Sequence, residues 1–475
     1  MKKSKFDGMK RTIRLTEGFL EVLTLSVAYY IVWRMGYERS DGFPAYYGNG
    51  KYVLAGVYAI LVIMLFLNFD GFKFGYLKPV ESFASQVIAL LIVNFITYLQ
   101  LSLIANVMIS PLPLLVLMVI DAAIALGCSF LYSFLYHRIY PPKNMVMIFG
   151  NDNAIDLKFK MDTRSDKYRI SKLISADEGF DAICKQIGEY DAVIINDVAA
   201  GIRNDLLKYC YHNQIRTYVA PKMTDIILKG ATDISLFDTP LLLVRGRGLT
   251  SAQRAIKRTM DILLSSIALI LTSPILLLVA LAIKIEDGGK IFYKQERVTL
   301  GGKTFYILKF RSMIPNAEQD GKAQPAVDND PRITKVGRFI RATRMDELPQ
   351  ILNILKGDMS IVGPRPERVE HVRKYSKIIP EFDFRLSVKG GLTGYAQVYG
   401  KYNTTPYDKL RLDLMYIENY SLMLDIKLIL MTIRIMLKKE STEGFNELKE
   451  IERQKAEILK ELHKEHKVET KVGTH

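Results

Sequence analysis

The chain has 475 residues, 49% of them hydrophobic, and a formal net charge of +15. That length exceeds one ordinary domain, so two or three folded units are expected. Only Cys128, Cys184 and Cys210 occur, without a CxxC pair, which excludes a disulfide framework and structural zinc. The apolar runs turn the basic balance toward anionic lipid and phosphorylated substrates, away from nucleic acid.

Lys2, Lys3, Lys5, Lys10, Arg11 and Arg14 precede an apolar run with no small-residue cleavage site after it, so the start reads as a retained membrane anchor. Four apolar stretches fill residues 1–143: Phe19 to Met35, Tyr52 to Phe69, Phe83 to Ile109 and Leu112 to Tyr136. At about 1.5 Å per residue, each crosses or nearly crosses a hydrocarbon core of roughly 30 Å. The N-terminal cluster, Lys73 with Lys78, and His137 with Arg138 and Lys143 then fall on one side, which assigns that side to the cytoplasm. Trp33, Tyr29, Tyr30 and Tyr37 stand where an interfacial aromatic belt is expected.

Over 144–249 short β-rich runs alternate with polar helical stretches. Met145 to Gly150, Ala192 to Asn196 and Thr217 to Ala220 read as strands and Gly201 to Asn213 as a helix, a small Rossmann-like α/β domain. Gly150 opens the position of a dinucleotide fingerprint, but the next two glycine positions hold Asp152 and Ile155. An aspartate there repels a pyrophosphate, so a structural or regulatory role is the expectation.

A fifth apolar segment, Ile262 to Ile285, has Ser273-Pro274 at its middle. Proline inside a helix removes a hydrogen bond and clashes with the preceding turn, so a sharp bend is expected. Arg254, Lys257 and Arg258 precede the segment and Lys284, Lys290, Lys294 and Arg297 follow it. Positive charge at both ends predicts a re-entrant helix over 260–286 that enters the membrane, breaks at Ser273-Pro274 and returns to the same face. Residues 250–439 then form a cytoplasmic, monotopic domain, in which Asp425 to Leu437 is an amphipathic interface helix. Residues 440–475 are a charged tail with apolar residues at helical spacing, and its His463 and His466 read as solvated. The fold class is a membrane protein, α plus α/β: a four-helix transmembrane bundle, a Rossmann-like domain and a monotopic domain.

The chemistry concentrates at Asp346-Glu347-Leu348-Pro349-Gln350 and at Gly363-Pro364-Arg365-Pro366. Aspartate can attack phosphorus, glutamate can hold a divalent cation, and arginine can clamp phosphate through a planar fork of donors. Arg365, directed by Pro364 and Pro366, is the leading phosphate clamp; Lys309, Arg311, Arg338, Arg341 and Arg344 are further candidates for the same field. From Arg254 to Arg344 there are 16 Lys/Arg against 8 Asp/Glu, about half of the whole net charge. A competing enzyme reading uses Asp328-Asn329-Asp330 as the D-x-D motif of a metal-dependent glycosyltransferase releasing UDP. A non-enzymatic reading makes the chain a membrane sensor or assembly scaffold.

From Gln253 to Lys439 the sequence closely resembles the bacterial sugar transferase family, the monotopic polyprenyl-phosphate phosphoglycosyl transferases. The resemblance rests on Lys257-Arg258-Thr259-Met260-Asp261, Ser273-Pro274, Ile307 to Met313, Asp330 to Arg341, Asp346 to Gln350, Lys356 to Pro366 and Gly391 to Val398. The four preceding spans and the degenerate Rossmann-like unit resemble the family's long form, which initiates capsule, exopolysaccharide or O-antigen units. The resemblance implies transfer of a sugar 1-phosphate from a UDP-sugar to undecaprenyl phosphate, with UMP released. It makes Asp346 the nucleophile and Glu347 a Mg²⁺ ligand or orienting carboxylate, with Mg²⁺ offsetting the diphosphate charge. Thr393, Gly394 and Gln397 become nucleotide-binding residues, preceded by Lys389-Gly390-Gly391 where arginine and proline are usual. Its implied setting is the bacterial inner membrane, with membrane lipids, a second copy of the chain and polysaccharide-assembly proteins as further partners.

Overall fold

The computed structural model describes residues 2–38, 50–151, 153–236, 238–244, 246, 248–314, 330–400 and 404–436. Asp152, Asp328, Asn329, Leu437 and the tail with His463 and His466 lie outside the described residues. The chain divides into two compact units, Met1–Ala220 and Pro221–His475.

The first unit opens with four long helices: α1 (Lys2–Gly36), α2 (Gly50–Asn68), α3 (Pro79–Ala105) and α4 (Leu112–Ile139). α1 packs against α2 and α4, and α3 packs against the same two. Their outward faces expose Phe19, Leu103 and Val119, while polar side chains meet inside. Tyr58 donates to Asp121 at 2.8 Å and Asn94 to the same oxygen at 2.9 Å; Gln86 donates to Glu21 at 3.2 Å and accepts from Ser129 at 3.0 Å. An apolar outer surface around an interior that buries paired polar side chains among apolar ones is unlike that of a water-soluble bundle. Tyr29, Trp33 and Tyr37 are buried, Tyr29 stacking on Tyr58 and Tyr37 donating to the Ser110 carbonyl. The belt expected of these aromatics is therefore used for interhelical packing.

The unit continues through β1 (Lys143–Phe149), α5 (Asn153–Asp162), β2 (Tyr168–Ser175), α6 (Phe180–Ile187), β3 (Ala192–Asn196), α7 (Ala200–His212) and β4 (Arg216–Val219). The strands form one parallel sheet in the order β2-β1-β3-β4. β2 is the strand sequence patterning overlooks, because its alternation Tyr168-Arg169-Ile170-Ser171-Lys172 is that of a polar edge. A Cβ at Gly150 would lie 2.5 Å from the Asp197 carbonyl, so glycine is required there by strand-end packing.

The second unit contains α8 (Met223–Lys229), an antiparallel pair β5 (Thr232–Ile234) and β6 (Leu241–Leu243), and the long α9 (Ser251–Asp287). It continues through the hairpin β7 (Phe292–Val298) and β8 (Thr304–Phe310), then α10 (Lys335–Ala342), α11 (Gln350–Lys356), β9 (Ser360–Val362), α12 (Val369–Ile378) and β10 (Gly391–Thr393). α13 (Tyr395–Tyr399), α14 (Pro406–Glu418) and α15 (Leu422–Met436) complete it. β9 and β10 are parallel. Met223 and Ile226 pack with Leu410, Leu414 and Ile417, so α8 shares this unit's core with α14.

α9 begins at a capping box, in which Thr250 Oγ1 accepts from Gln253 and Gln253 Oε1 accepts from Thr250. It is continuous from Ser251 to Asp287 with Pro274 inside it, and Ser273 Oγ donates to the Ile270 carbonyl at 2.8 Å. Both ends are anchored in this unit. Near the first, Lys257 meets Asp425 at 2.5 Å, Arg258 donates to the Ile354 and Leu355 carbonyls, and Asp261 accepts from Ser360 and Ile361. Near the second, Val279 and Ile283 pack on Phe310 and Ile340, and Glu286 accepts from the first amides of α10. The middle exposes Ile270, Leu271, Leu277 and Leu278. Among the described residues five helices, α9 included, are long and apolar enough to cross a membrane.

Candidate active site

The carboxylate pair lies in a 3-10 turn, Met345–Glu347, between α10 and α11. Arg344 enters that turn at φ 58°, a left-handed conformation that reverses the chain after α10. Met345 packs toward Phe310 and Ile340, and Pro349 stands at the start of α11. Asn353 locks α11 to the hairpin: its side chain accepts from Leu308 N at 2.9 Å and donates to the Tyr306 carbonyl at 2.9 Å. Lys309, on the adjoining stretch of β8, is thereby set against the turn.

The two carboxylates have different surroundings. Glu347 Oε1 receives Lys309 Nζ at 2.6 Å and Arg365 Nη2 at 3.0 Å. Burial alone raises the Glu347 pKa, but the two cations outweigh it and hold the group well below the usual carboxylate range. Asp346 makes no hydrogen bond among the described residues. Burial raises its pKa, Lys309 opposes the rise and Glu347 adds to it, leaving the group above its ordinary value. One carboxylate is clamped by two cations; its neighbour is not.

Arg365 is presented by Gly363-Pro364-Arg365-Pro366, the turn leaving β9. Gly363 N donates to the Thr393 carbonyl at 2.8 Å, and Gly391 N donates to the Pro364 carbonyl at 2.9 Å. A Cβ at Gly394 would lie 2.1 Å from the Gly363 carbonyl, so the two glycines permit a close crossing of the turn and the strand exit. The run Thr393-Gly394 is thus beside the turn that bears Arg365. Thr393 Oγ1 lies 2.5 Å from Thr432 Oγ1, facing α15, while both amide atoms of Gln397 are buried without a partner among the described residues.

The remaining basic candidates separate. Arg341 and Arg344 are close enough to pull the Asp346 pKa down. Arg338 is exposed on α10. Arg311 is ion-paired to Asp287 at the end of α9, so it fixes that helix's exit. Ser273 and Pro274 lie within the exposed apolar middle of α9. Asp330 is buried and held by Arg332 at 2.6 Å. Sequence reasoning missed Arg297, Arg385 and Asp413, which lie behind the Arg365 turn; nothing local distinguishes them from solvated charges, because their partners are far away in sequence.

Mg²⁺ takes oxygen ligands and commonly uses one or two carboxylates with water and phosphate oxygens completing its shell. The Asp346 oxygens and Glu347 Oε2 carry no hydrogen bond among the described residues, whereas no closed group of three or more metal-ligating side chains occurs there. This donor set fits an ion brought on a diphosphate better than a cage built by the protein.

The long apolar helices are compatible with a membrane protein, and the second unit sets cations behind a carboxylate pair. Residues 252–439 match the family described as "Bacterial sugar transferase". The chain is 47% identical over 185 residues to the UDP-N-acetylgalactosamine-undecaprenyl-phosphate N-acetylgalactosaminephosphotransferase of Aeromonas hydrophila, covering 38% of this chain and 44% of that protein. It is 43% identical over 186 residues to the UDP-glucose:undecaprenyl-phosphate glucose-1-phosphate transferase of Caulobacter vibrioides, covering 38% and 69%. To the exopolysaccharide production protein ExoY of Rhizobium meliloti it is 37% identical over 191 residues, covering 37% and 83%. The chain belongs to the bacterial sugar transferase family. Its match spans about half the length, or less, of the first several curated relatives.

Proposed function

We propose that this protein transfers a sugar 1-phosphate from a UDP-hexose to undecaprenyl phosphate, releasing UMP, as the first membrane step of exopolysaccharide, capsule or O-antigen synthesis. The observation that carries the reading is the asymmetry of the pair: Glu347 is held by Lys309 and Arg365, and Asp346 is left unpartnered beside it. An Asp346 oxygen attacks the phosphorus bonded to the sugar, the bond to the bridging oxygen breaks, and UMP departs. A phosphate oxygen of undecaprenyl phosphate then attacks the same phosphorus and expels Asp346. Arg365 and Lys309 hold Glu347 and place positive charge where phosphate charge accumulates. Asp346 and Glu347 are the residues that would hold Mg²⁺, which would supply neutralisation of the diphosphate charge.

The membrane arrangement is part of the proposal. α1 to α4 span the bilayer as a four-helix bundle, the parallel sheet unit is Rossmann-like, and the second unit faces the cytoplasm. α9 is proposed to be re-entrant: residues near both of its ends are anchored in the second unit, and between those anchors it exposes apolar residues from Ile262 through Leu281 around Ser273-Pro274. This brings a lipid phosphate to a site that also receives a soluble nucleotide sugar.

The test supplies the protein in vesicles with undecaprenyl phosphate, Mg²⁺ and a series of radiolabelled UDP-sugars. UMP and a lipid-linked sugar in equal amounts are expected. Release of UDP would exclude phosphosugar transfer.

A further inference from the structure

Three successive carbonyls of the turn that bears Arg365 are gripped from behind. Arg385 Nη2 donates to the Arg365 carbonyl at 2.9 Å, Arg297 Nη1 to the Pro366 carbonyl at 3.0 Å, and Val298 N to the Glu367 carbonyl at 3.0 Å. Arg385 is 2% exposed and sits in the 3-10 segment Pro380–Ser387. Its Nε lies 2.9 Å and its Nη2 2.8 Å from Asp413 Oδ2, a buried carboxylate on α14. Glu367 meets Lys409 at 3.2 Å and lies 3.8 Å from Arg385 Nη1, so the network also holds the residue that leaves the turn.

Stability alone is a poor reason for such a network. Removing two charges from water costs several kcal/mol per ion, and apolar residues of similar volume commonly serve a core as well or better. A guanidinium fork offers what an apolar residue cannot: its Nε and Nη2 are set on one carboxylate oxygen, and Nη2 is thereby aimed at a chosen carbonyl as well. Fixing the peptide plane at Arg365 constrains the direction of its Cα–Cβ bond and so the region its guanidinium can reach toward Glu347 and a phosphate.

We propose that Arg385, oriented by Asp413, is a positioning residue for phosphosugar transfer, with Arg297 as its counterpart one carbonyl further on. It touches no substrate; it acts through Arg365. The inference rests on the proposed role of Arg365 at phosphate.

The test is a double-mutant cycle read as kcat/KM for UMP release by the full-length protein in vesicles, with thermal unfolding measured in parallel. Arg385→Lys keeps the charge and loses the fork; a loss of roughly 10–100-fold is expected, the scale on which small displacements act. In an Arg365→Lys background the same substitution should cost less than about twofold, because the group it directs has lost its own fork. Arg297→Lys, which leaves the Asp413 pair intact, should repeat the pattern and decides the matter if Arg385→Lys does not fold. Losses that multiply independently in the Arg365→Lys background would overturn the inference and leave a structural role only. Wild-type protein that releases no UMP would instead overturn the functional reading on which it rests.

Discussion

Asp346 and Glu347 are neighbours with different environments, and the roles proposed for them follow that difference. Glu347 cannot readily serve as nucleophile while two cations share one of its oxygens. Asp346→Asn should abolish sugar-phosphate transfer while leaving membrane insertion unchanged, measured as radiolabel in lipid and as protein in washed membranes; near-normal turnover would remove Asp346 as nucleophile. The pH dependence follows from the same contacts. The proposed attack requires an ionised Asp346, so its raised pKa is expected to place the acid limb of kcat/KM above the ordinary aspartate range. Lys309 opposes that rise, so Lys309→Gln should move the limb to higher pH; an unmoved limb would dissociate Lys309 from the titration. Glu347 has the opposite sign. Its lowered pKa means that its ion pairs stabilise the fold above the ordinary glutamate pKa, and this stabilisation is lost as pH falls through the depressed folded value.

At the scale of elements, α9 couples the membrane reading to the site. Its first turns hold α11, β9 and α15, and its last turns hold β8 and α10, the elements that flank the carboxylate turn. Single cysteines at exposed Arg254 and Lys290 should therefore both react with an impermeant maleimide from the cytoplasmic side only. Labelling of position 290 from outside alone would make α9 a full span. The charged flanks and Ser273-Pro274 already stand out in the sequence, because charge and proline act locally on insertion and helix geometry. The anchoring of both flanks is not visible there: Lys257 and Asp425 are 168 positions apart, and Asp261 and Ser360 are 99 apart.

At the scale of the whole molecule, the two compact units divide the chain just after Ala220, and the family match lies entirely within the second. The R. meliloti relative is 83% covered by a match of only 191 residues, so a much shorter protein carries most of this segment. A chain beginning at Pro221 should accordingly release UMP in vesicles at no less than about a tenth of the full-length rate, a threshold of about 1.4 kcal/mol in transition-state free energy. A complete loss, with the fragment folded and membrane-bound, would assign the first unit a direct part in the reaction.

The sequence by itself determined the long apolar helices, the alternation of strand and helix after Asn144, and the chemical identity of Asp346, Glu347 and Arg365. Each is written in local periodicity, charge or a short motif, where the cause and the residues are adjacent. Only the tertiary structure decided which carboxylate is clamped, that Arg311 turns to Asp287, that Tyr29, Trp33 and Tyr37 pack inside, and that Arg385 and Arg297 hold the turn of Arg365. Those outcomes depend on which distant side chain reaches a given atom first. A hydrogen bond or ion pair is decided over about 3 Å of space, and one chain's spacing cannot specify that distance until the fold has closed.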